Sequence, residues 1–422
     1  MLERDSKYVW HPFTQVQTEP EILDIVEAKG TTLTARDGKT YLDCNSSWWV
    51  NVHGHGHPHI QKAINEQFEK IDHIIFAGAT HEKGIELAER ICNILPNNHF
   101  EKVFYSDNGS TAIEVALKMC FQYWHNQGTP KNRVLALEGA YHGDTFGAMS
   151  VGERDYFNKP FEPFFFDVDY LAFPTKDLEE TLLNQAEKLF SSNEFVALIV
   201  EPIIQGSAGM RTYSAEWLDK LVKTAKKHDV LVIFDEVMTA WGRTGKMFAM
   251  NHLTELPDIV CLSKGLTGGV LPLGLTVTTQ KIFDAFLSSE RVKAFLHGHS
   301  FTGNPLACAA ACASIDLFEQ KSTWENIERI CKSNVEFASQ LKTNSNIQDV
   351  RICGTILAIE LKTGEGNTYF SSKRDENYLF FRNRGLLLRP LGNVIFINPP
   401  YSITEKELEY TYDTINLFLN QI

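Results

Sequence analysis

The chain has 422 residues, of which 43% are hydrophobic and 22% charged. That length holds a large domain plus a smaller one, and the composition is that of an ordinary globular protein. A net charge of −13 argues against nucleic acid as a partner, and no apolar run approaches the roughly 20 residues of a membrane-spanning helix.

The opening, MLERDSKYVWHPF, lacks the apolar core of a signal peptide. The eight cysteines are scattered with no CxxC pair, so a reducing cytoplasm is expected. Pro12 excludes a continuous helix through YVWHPFTQ, which reads as an aromatic arm or loop. Asp37-Gly38 lies between alternating runs and predicts a hairpin. In SSWW, neighbours on an extended chain point to opposite sides. One of Trp48 and Trp49 can then be core while the other faces a cavity. His53, His55, His57 and His59 alternate like a metal tract. Two glycines and Pro58 interrupt them, and no carboxylate or cysteine completes a ligand set. A turning loop is expected there, and no metal.

Lys102 to Tyr105 reads as a strand. After it, Ile113, Ala116, Leu117, Cys120, Phe121 and Trp124 recur at helical spacing. Asn108, Gly109 and Ser110 stand where that helix begins. Unpaired N–H groups and the helix dipole favour an anion there; a Ser N-cap is the plainer reading. Arg133 to Leu137 and Val196 to Val200 are further strands, leading into EGAYHGDTFGAMS and into Glu201. Asp144 is either a substrate contact or a loop hydrogen-bonder. Arg243, in GRTGK, is either a substrate-side or a structural arginine.

Two apolar runs then end in charged residues. LVIF runs into Asp235 and Glu236, and Ile259 to Leu262 runs into Ser263 and Lys264. Ligands sit at the C-terminal edge of such parallel strands. A lysine and a carboxylate there suit pyridoxal phosphate (PLP), whose aldehyde needs an amine and whose ring nitrogen needs an acid to keep it protonated. A strand-end ion pair is the alternative. Cys308 and Cys312, in an Ala-rich helical run, read as buried thiols. After about Phe318 short strands and helices alternate, as in a small domain. There, Leu391-Gly392-Asn393 predicts a hairpin between two half-buried strands, with Arg389 at the end of the first. Arginine binds carboxylate bidentately, although a surface arginine is common.

The order DEV, GRTGK and D-I-V-x-x-x-K-G-L-x-G-G resembles the class III (ornithine/GABA-type) aminotransferases. WHPFT, SSWW, YHGDTFGAMS and GNPLACAA are similar to the biotin-synthesis branch of that family. The resemblance runs from Tyr8 to about Tyr401. It implies an α/β protein of the PLP-dependent transferase fold type I, with a mostly parallel sheet in a large domain (51–318). A small α+β domain would come from both chain ends (1–50 with the arm, and 319–422). It implies a homodimer.

Site residues follow from the same resemblance. Lys264 would be the Schiff-base lysine and proton carrier, Asp235 the partner of the ring nitrogen, and Tyr141 the aromatic stacked on the ring. Gly109 and Ser110 would cradle the phosphate, and Ser300 would reach the partner's phosphate. Trp48, Tyr141, Lys264, Gly298, Arg389 and Tyr401 would contact substrate, Arg389 through a carboxylate. The branch implies 8-amino-7-oxononanoate as amino acceptor and S-adenosylmethionine as donor, with lysine as the alternative donor. Phe13 stands where the branch has tyrosine, and His299-Ser300 replaces its Pro-Thr. Two other readings are an ω-amino acid aminotransferase of the same family and a metal-dependent hydrolase built on His53–His59.

Overall fold

The computed structural model describes residues 1–341, 344–362 and 373–422. The chain forms two compact units, Pro58–Trp324 and a second made from Met1–His57 with Glu325–Ile422.

The first unit is built on a seven-stranded sheet. In spatial order its strands are Lys102–Ser106, Gly274–Thr278, Ile259–Leu262, Leu231–Asp235, Phe195–Val200, Arg133–Leu137 and Val168–Leu171. Gly274–Thr278 runs antiparallel to both its neighbours, and the other adjacent pairs are parallel. The fold is thus α/β with a mostly parallel sheet. Strands such as FVALIV and LVIFD are buried along their whole length, because helices cover both faces of a parallel sheet. Each fully buried Val, Leu or Ile contributes about 1.5–3 kcal/mol.

The helix Gly109–Asn126 lies against this sheet. Ala112, Ile113, Val115, Ala116 and Cys120 are fully buried. Thr276 Oγ1 donates to the Ala112 carbonyl at 2.8 Å, which pins the helix to the sheet near its start. Parallel pairing places the ends of Arg133–Leu137, Phe195–Val200, Leu231–Asp235 and Ile259–Leu262 at one edge of the sheet. The Tyr141 loop, Glu201, Asp235 and Lys264 therefore begin there. Cys308 and Cys312 are buried in the helix Pro305–Phe318, and all eight cysteines are free thiols.

In the second unit, Ile25–Lys29, Thr32–Ala35 and Thr40–Asp43 form an antiparallel meander. Asp37-Gly38 makes its second turn, with Gly38 at φ +86°, a conformation glycine adopts without a steric cost. Two expectations are corrected. Leu391 and Val394 exchange both backbone hydrogen bonds, each at 2.9 Å, and close the expected turn, but the strands beyond it do not pair with each other. Leu386–Leu387 joins Thr40–Asp43 in parallel, while Val394–Ile397 joins the sheet of Ile356–Leu361 and is buried. SSWW is not extended but a kinked helical turn, with Ser46, Ser47 and Trp49 at positive φ. The turn still splits the tryptophans: Trp49 is 7% exposed and Trp48 45%. Among the described residues, no helix is long and apolar enough to cross a membrane.

Candidate active site

Asp235 closes its strand in register with Cys261, and Lys264 follows three residues on, just past the end of the neighbouring strand Ile259–Leu262. Lys264 sits at φ +48°, a left-handed conformation that costs a non-glycine residue about 1–3 kcal/mol. Its neighbour holds it there. Ser263 Oγ donates to the Leu273 carbonyl at 2.7 Å, and Trp241 Nε1 donates to the Ser263 carbonyl at 3.1 Å. Burial pulls the Lys264 amine down to about 8, and the buried Arg243 guanidinium adds to that, against the pull of Asp235 and Glu201. An amine near neutrality both attacks a carbonyl and carries a proton.

Asp235 and its neighbour Glu236 diverge. Asp235 Oδ1 accepts the Val237 N–H at 3.0 Å, and Oδ2 lies 2.7 Å from His142 Nδ1. Glu236 accepts the N–H groups of Ala249 and Met250, each at 2.7 Å, and the Thr239 hydroxyl at 2.9 Å. Burial pushes the Glu236 carboxyl up to about 7. Its work is to hold the segment after GRTGK.

The loop carrying Tyr141 is fixed from three sides. Glu201 Oε1 accepts the Tyr141 N–H at 3.0 Å while Oε2 accepts that of Gly206 at 2.9 Å. Burial raises the Glu201 carboxyl to about 7. Tyr141 donates its hydroxyl to Asp144 at 3.0 Å, and the Asp144 N–H reaches Ser110 Oγ at 3.3 Å. Glu114, on the covering helix, accepts from Thr145 Oγ1 at 2.6 Å and from the N–H groups of Gly147 and Ala148 at 2.7 and 3.0 Å. A residue of one helix thus caps the start of another, Phe146–Val151. His142, buried against Asp235, had no assigned role in the sequence reading, although it follows Tyr141 directly.

At the start of Gly109–Asn126 the cap is Asn108, not Ser110. Asn108 Oδ1 accepts the Thr111 N–H at 3.0 Å, and Thr111 Oγ1 answers the Asn108 N–H at 3.1 Å. Among the described residues, the N–H groups of Gly109 and Ser110 have no protein acceptor. Side chains and backbone pack closely around them. A Cβ on Gly109 would come within 2.7 Å of Val237, one on Gly143 (φ +125°) would overlap Ser110, and one on Gly274 would overlap the Asn108 carbonyl. Gly298 and Ser300 lie exposed on a loop where His299 N–H donates to Thr302 Oγ1 at 3.1 Å.

The second unit gathers a different set. Asn45 Oδ1 accepts the Arg389 N–H at 2.8 Å. The Arg389 guanidinium lies 5.5 Å from the Trp48 ring, and Phe13 meets the same ring edge-on at 5.5 Å. Tyr401 is buried, its N–H donating to the Val52 carbonyl at 2.8 Å. The histidines of the tract diverge. His55 bonds Asp43 and Asn51, while His59, in the first unit, pairs with Asp316 at 2.7 Å. Among the described residues, no group of three His, Cys, Asp or Glu is placed to hold a metal ion.

The family model described as aminotransferase class-III matches residues 13–419. The chain belongs to the class III aminotransferases. It is 44% identical to the adenosylmethionine-8-amino-7-oxononanoate aminotransferase of Synechococcus elongatus, over 98% of this chain and 99% of the relative. The crystal structure of the enzyme of that name from Methanocaldococcus jannaschii superposes with a TM-score of 0.94 at 38% identity, covering 99% of this chain and 98% of that one. An amine transaminase from an uncultivated Pseudomonas species, in its PLP-bound form, gives 0.88 at 28% identity, with 98% of each chain covered.

Class III aminotransferases depend on PLP, and the residues of this chain fit it. A lysine of lowered basicity, a carboxylate clamped by two donors and a helix start with two open N–H groups share one sheet edge. The glycines around that helix start let Val237, Ser110 and the Asn108 carbonyl pack against it, and the open N–H groups of Gly109 and Ser110 suit an anion.

Proposed function

We propose that this aminotransferase transfers an amino group to 8-amino-7-oxononanoate, giving 7,8-diaminononanoate for biotin synthesis, with S-adenosylmethionine as donor. The observation that carries the reading is the 44% identity, over essentially full length, to a relative named for those two substrates. Trp48 beside Arg389 supports it, because an aromatic face next to a guanidinium suits an alkyl chain that ends in a carboxylate.

When bound, PLP supplies an aldehyde that takes up the amino group and a ring that draws electrons from the reacting carbon. Lys264 would hold its aldehyde, and Lys264 Nζ would carry the proton to and from the reacting carbon. Asp235 would keep the ring nitrogen protonated, with His142 and the Val237 N–H orienting its carboxylate. Tyr141 would cover the ring, and Gly109 and Ser110 would receive the phosphate. Ser300 would contact the phosphate of a second copy in a homodimer. Arg389 would take the acceptor's carboxylate, with Trp48, Gly298 and Tyr401 around its chain. The free thiols suit a cytoplasmic enzyme.

Each donor is tested alone on the PLP-loaded protein, with the keto substrate absent, by loss of the PLP absorbance band. S-adenosylmethionine is expected to bleach it. Bleaching by lysine and not by S-adenosylmethionine would replace the donor and leave the acceptor standing.

A further inference from the structure

The turn that presents Trp48 is strained. Ser46, Ser47 and Trp49 have φ of +49°, +58° and +66°, and Ser47 has ψ −94°. None is a glycine, so something must hold the turn in place.

The holder is Asp43, fully buried at the end of the strand Thr40–Asp43. Its carboxylate accepts the Ser47 N–H at 2.8 and 2.7 Å, the Ser47 hydroxyl at 3.1 Å and the Asn45 N–H at 3.3 Å. The remaining partner is His55, whose Nε2 lies 2.9 Å from Asp43 Oδ2. The Asn51 amide lies 3.0 Å from His55 Nδ1 and donates to it, which leaves Nε2 as the protonated nitrogen facing the carboxylate.

The backbone fixes His55 in turn. Its N–H and carbonyl both pair with Gly30, at 2.7 and 2.9 Å. Gly54 before it sits at φ +85°, and a Cβ there would overlap Ser402. His55 is therefore a rigid donor aimed at the carboxylate that holds the strained turn. One member of the histidine tract has a structural task that needs no metal.

We propose that His55, acting through Asp43, is a positioning residue for Trp48 and thereby sets how tightly the enzyme binds a substrate bearing an alkyl-chain carboxylate. The inference rests on the reading of Trp48 and Arg389 given above. Without the His55 donor, a buried carboxylate loses one of its bonds and its grip on Ser47 loosens. The turn then relaxes toward unstrained conformations and Trp48 leaves the Arg389 guanidinium. The reacting groups on Lys264 and Asp235 are untouched.

The test compares His55→Leu, which removes the donor, with His55→Gln, whose amide nitrogen replaces Nε2, in the PLP-loaded enzyme. His55→Leu is expected to raise the Michaelis constant for 8-amino-7-oxononanoate about tenfold with kcat nearly unchanged, and His55→Gln to recover most of the loss. In protein labelled with 5-fluorotryptophan, the Trp48 19F resonance, assigned through Trp48→Phe, should move in His55→Leu and return in His55→Gln. If His55→Leu does not fold, His55→Asn takes its place under the same criteria, since its shorter side chain reaches Asn51 but not Asp43. An unmoved resonance and an unmoved Michaelis constant overturn the proposal. Arg389→Ala is measured alongside. If it raises the Michaelis constant while the His55 variants do not, the positioning role alone fails. If no variant raises it, the carboxylate pose fails and takes the specificity role with it.

Discussion

His142 Nδ1 lies 2.7 Å from Asp235 Oδ2, and both side chains are buried. With the Val237 N–H on Oδ1, the carboxylate is held at both oxygens and its plane is fixed. An acid that serves a ring nitrogen needs such an orientation. Replacing His142 with phenylalanine should cost about 10–100-fold in kcat/KM, as losses of an orienting partner do. Steady-state kinetics on cofactor-loaded protein measures it, and activity within twofold of the parent would remove His142 from the site's machinery. Asp235→Asn should be more severe, since an amide cannot keep the ring nitrogen protonated.

The lowered basicity of Lys264 has a pH signature. Its amine titrates near 8 because burial disfavours the charged form. Only the neutral amine attacks an aldehyde. The rate at which cofactor-free protein takes up PLP should therefore fall about tenfold per pH unit below about 8 and level off above it. Stopped-flow absorbance measures the rate. A rate still climbing toward 10.5, the ordinary lysine value, would contradict the assignment. The sign for stability is linked. Below about 8 the folded state bears the cost of a buried charge. That cost is relieved between about 8 and 10.5, where the unfolded chain still binds the proton. Cofactor-free protein should gain stability over that range relative to Lys264→Met.

Gly143 combines φ +125° with a Cβ position that would overlap Ser110. Gly143→Ala should displace the start of the helix Gly109–Asn126 and weaken PLP retention at least about tenfold, the strain being released by moving the cradle. Equilibrium dialysis against free cofactor decides it, and unchanged retention would mean that the phosphate binds elsewhere.

Much of this site is legible in the sequence, for a local reason. LVIF and Ile259–Leu262 are continuous apolar runs, and a buried parallel strand puts whatever follows it at the ligand-bearing edge. The placement of Asp235 and Lys264 at that edge could be read from position; their roles toward a cofactor came from the family resemblance. Partners that depend on long-range pairing could not be read from position. Leu391-Gly392-Asn393 is a turn by its residues, yet its two flanks join different sheets, and turn chemistry does not name a strand's neighbour. SSWW departs from the extended reading because Asp43 and His55, outside those four residues, hold it in a strained turn. His142 stood beside Tyr141 in a quoted motif, but only the fold turns it toward Asp235.

Arg389 offers a test of substrate recognition. Losing a hydrogen bond to a charged group costs about 1.5–3 kcal/mol, so Arg389→Ala should raise the Michaelis constant for the keto substrate about 10–150-fold. Initial rates against substrate concentration measure it, and an unchanged constant would place the carboxylate elsewhere.

The proposed reaction transfers an amino group to 8-amino-7-oxononanoate. The direct measurement is mass-spectrometric detection of 7,8-diaminononanoate from purified, PLP-loaded protein given that ketone and S-adenosylmethionine. Product is expected to accumulate over many turnovers and to be absent in Lys264→Ala. No product with S-adenosylmethionine or with lysine, from protein that readily transaminates another ω-amino acid, would contradict it.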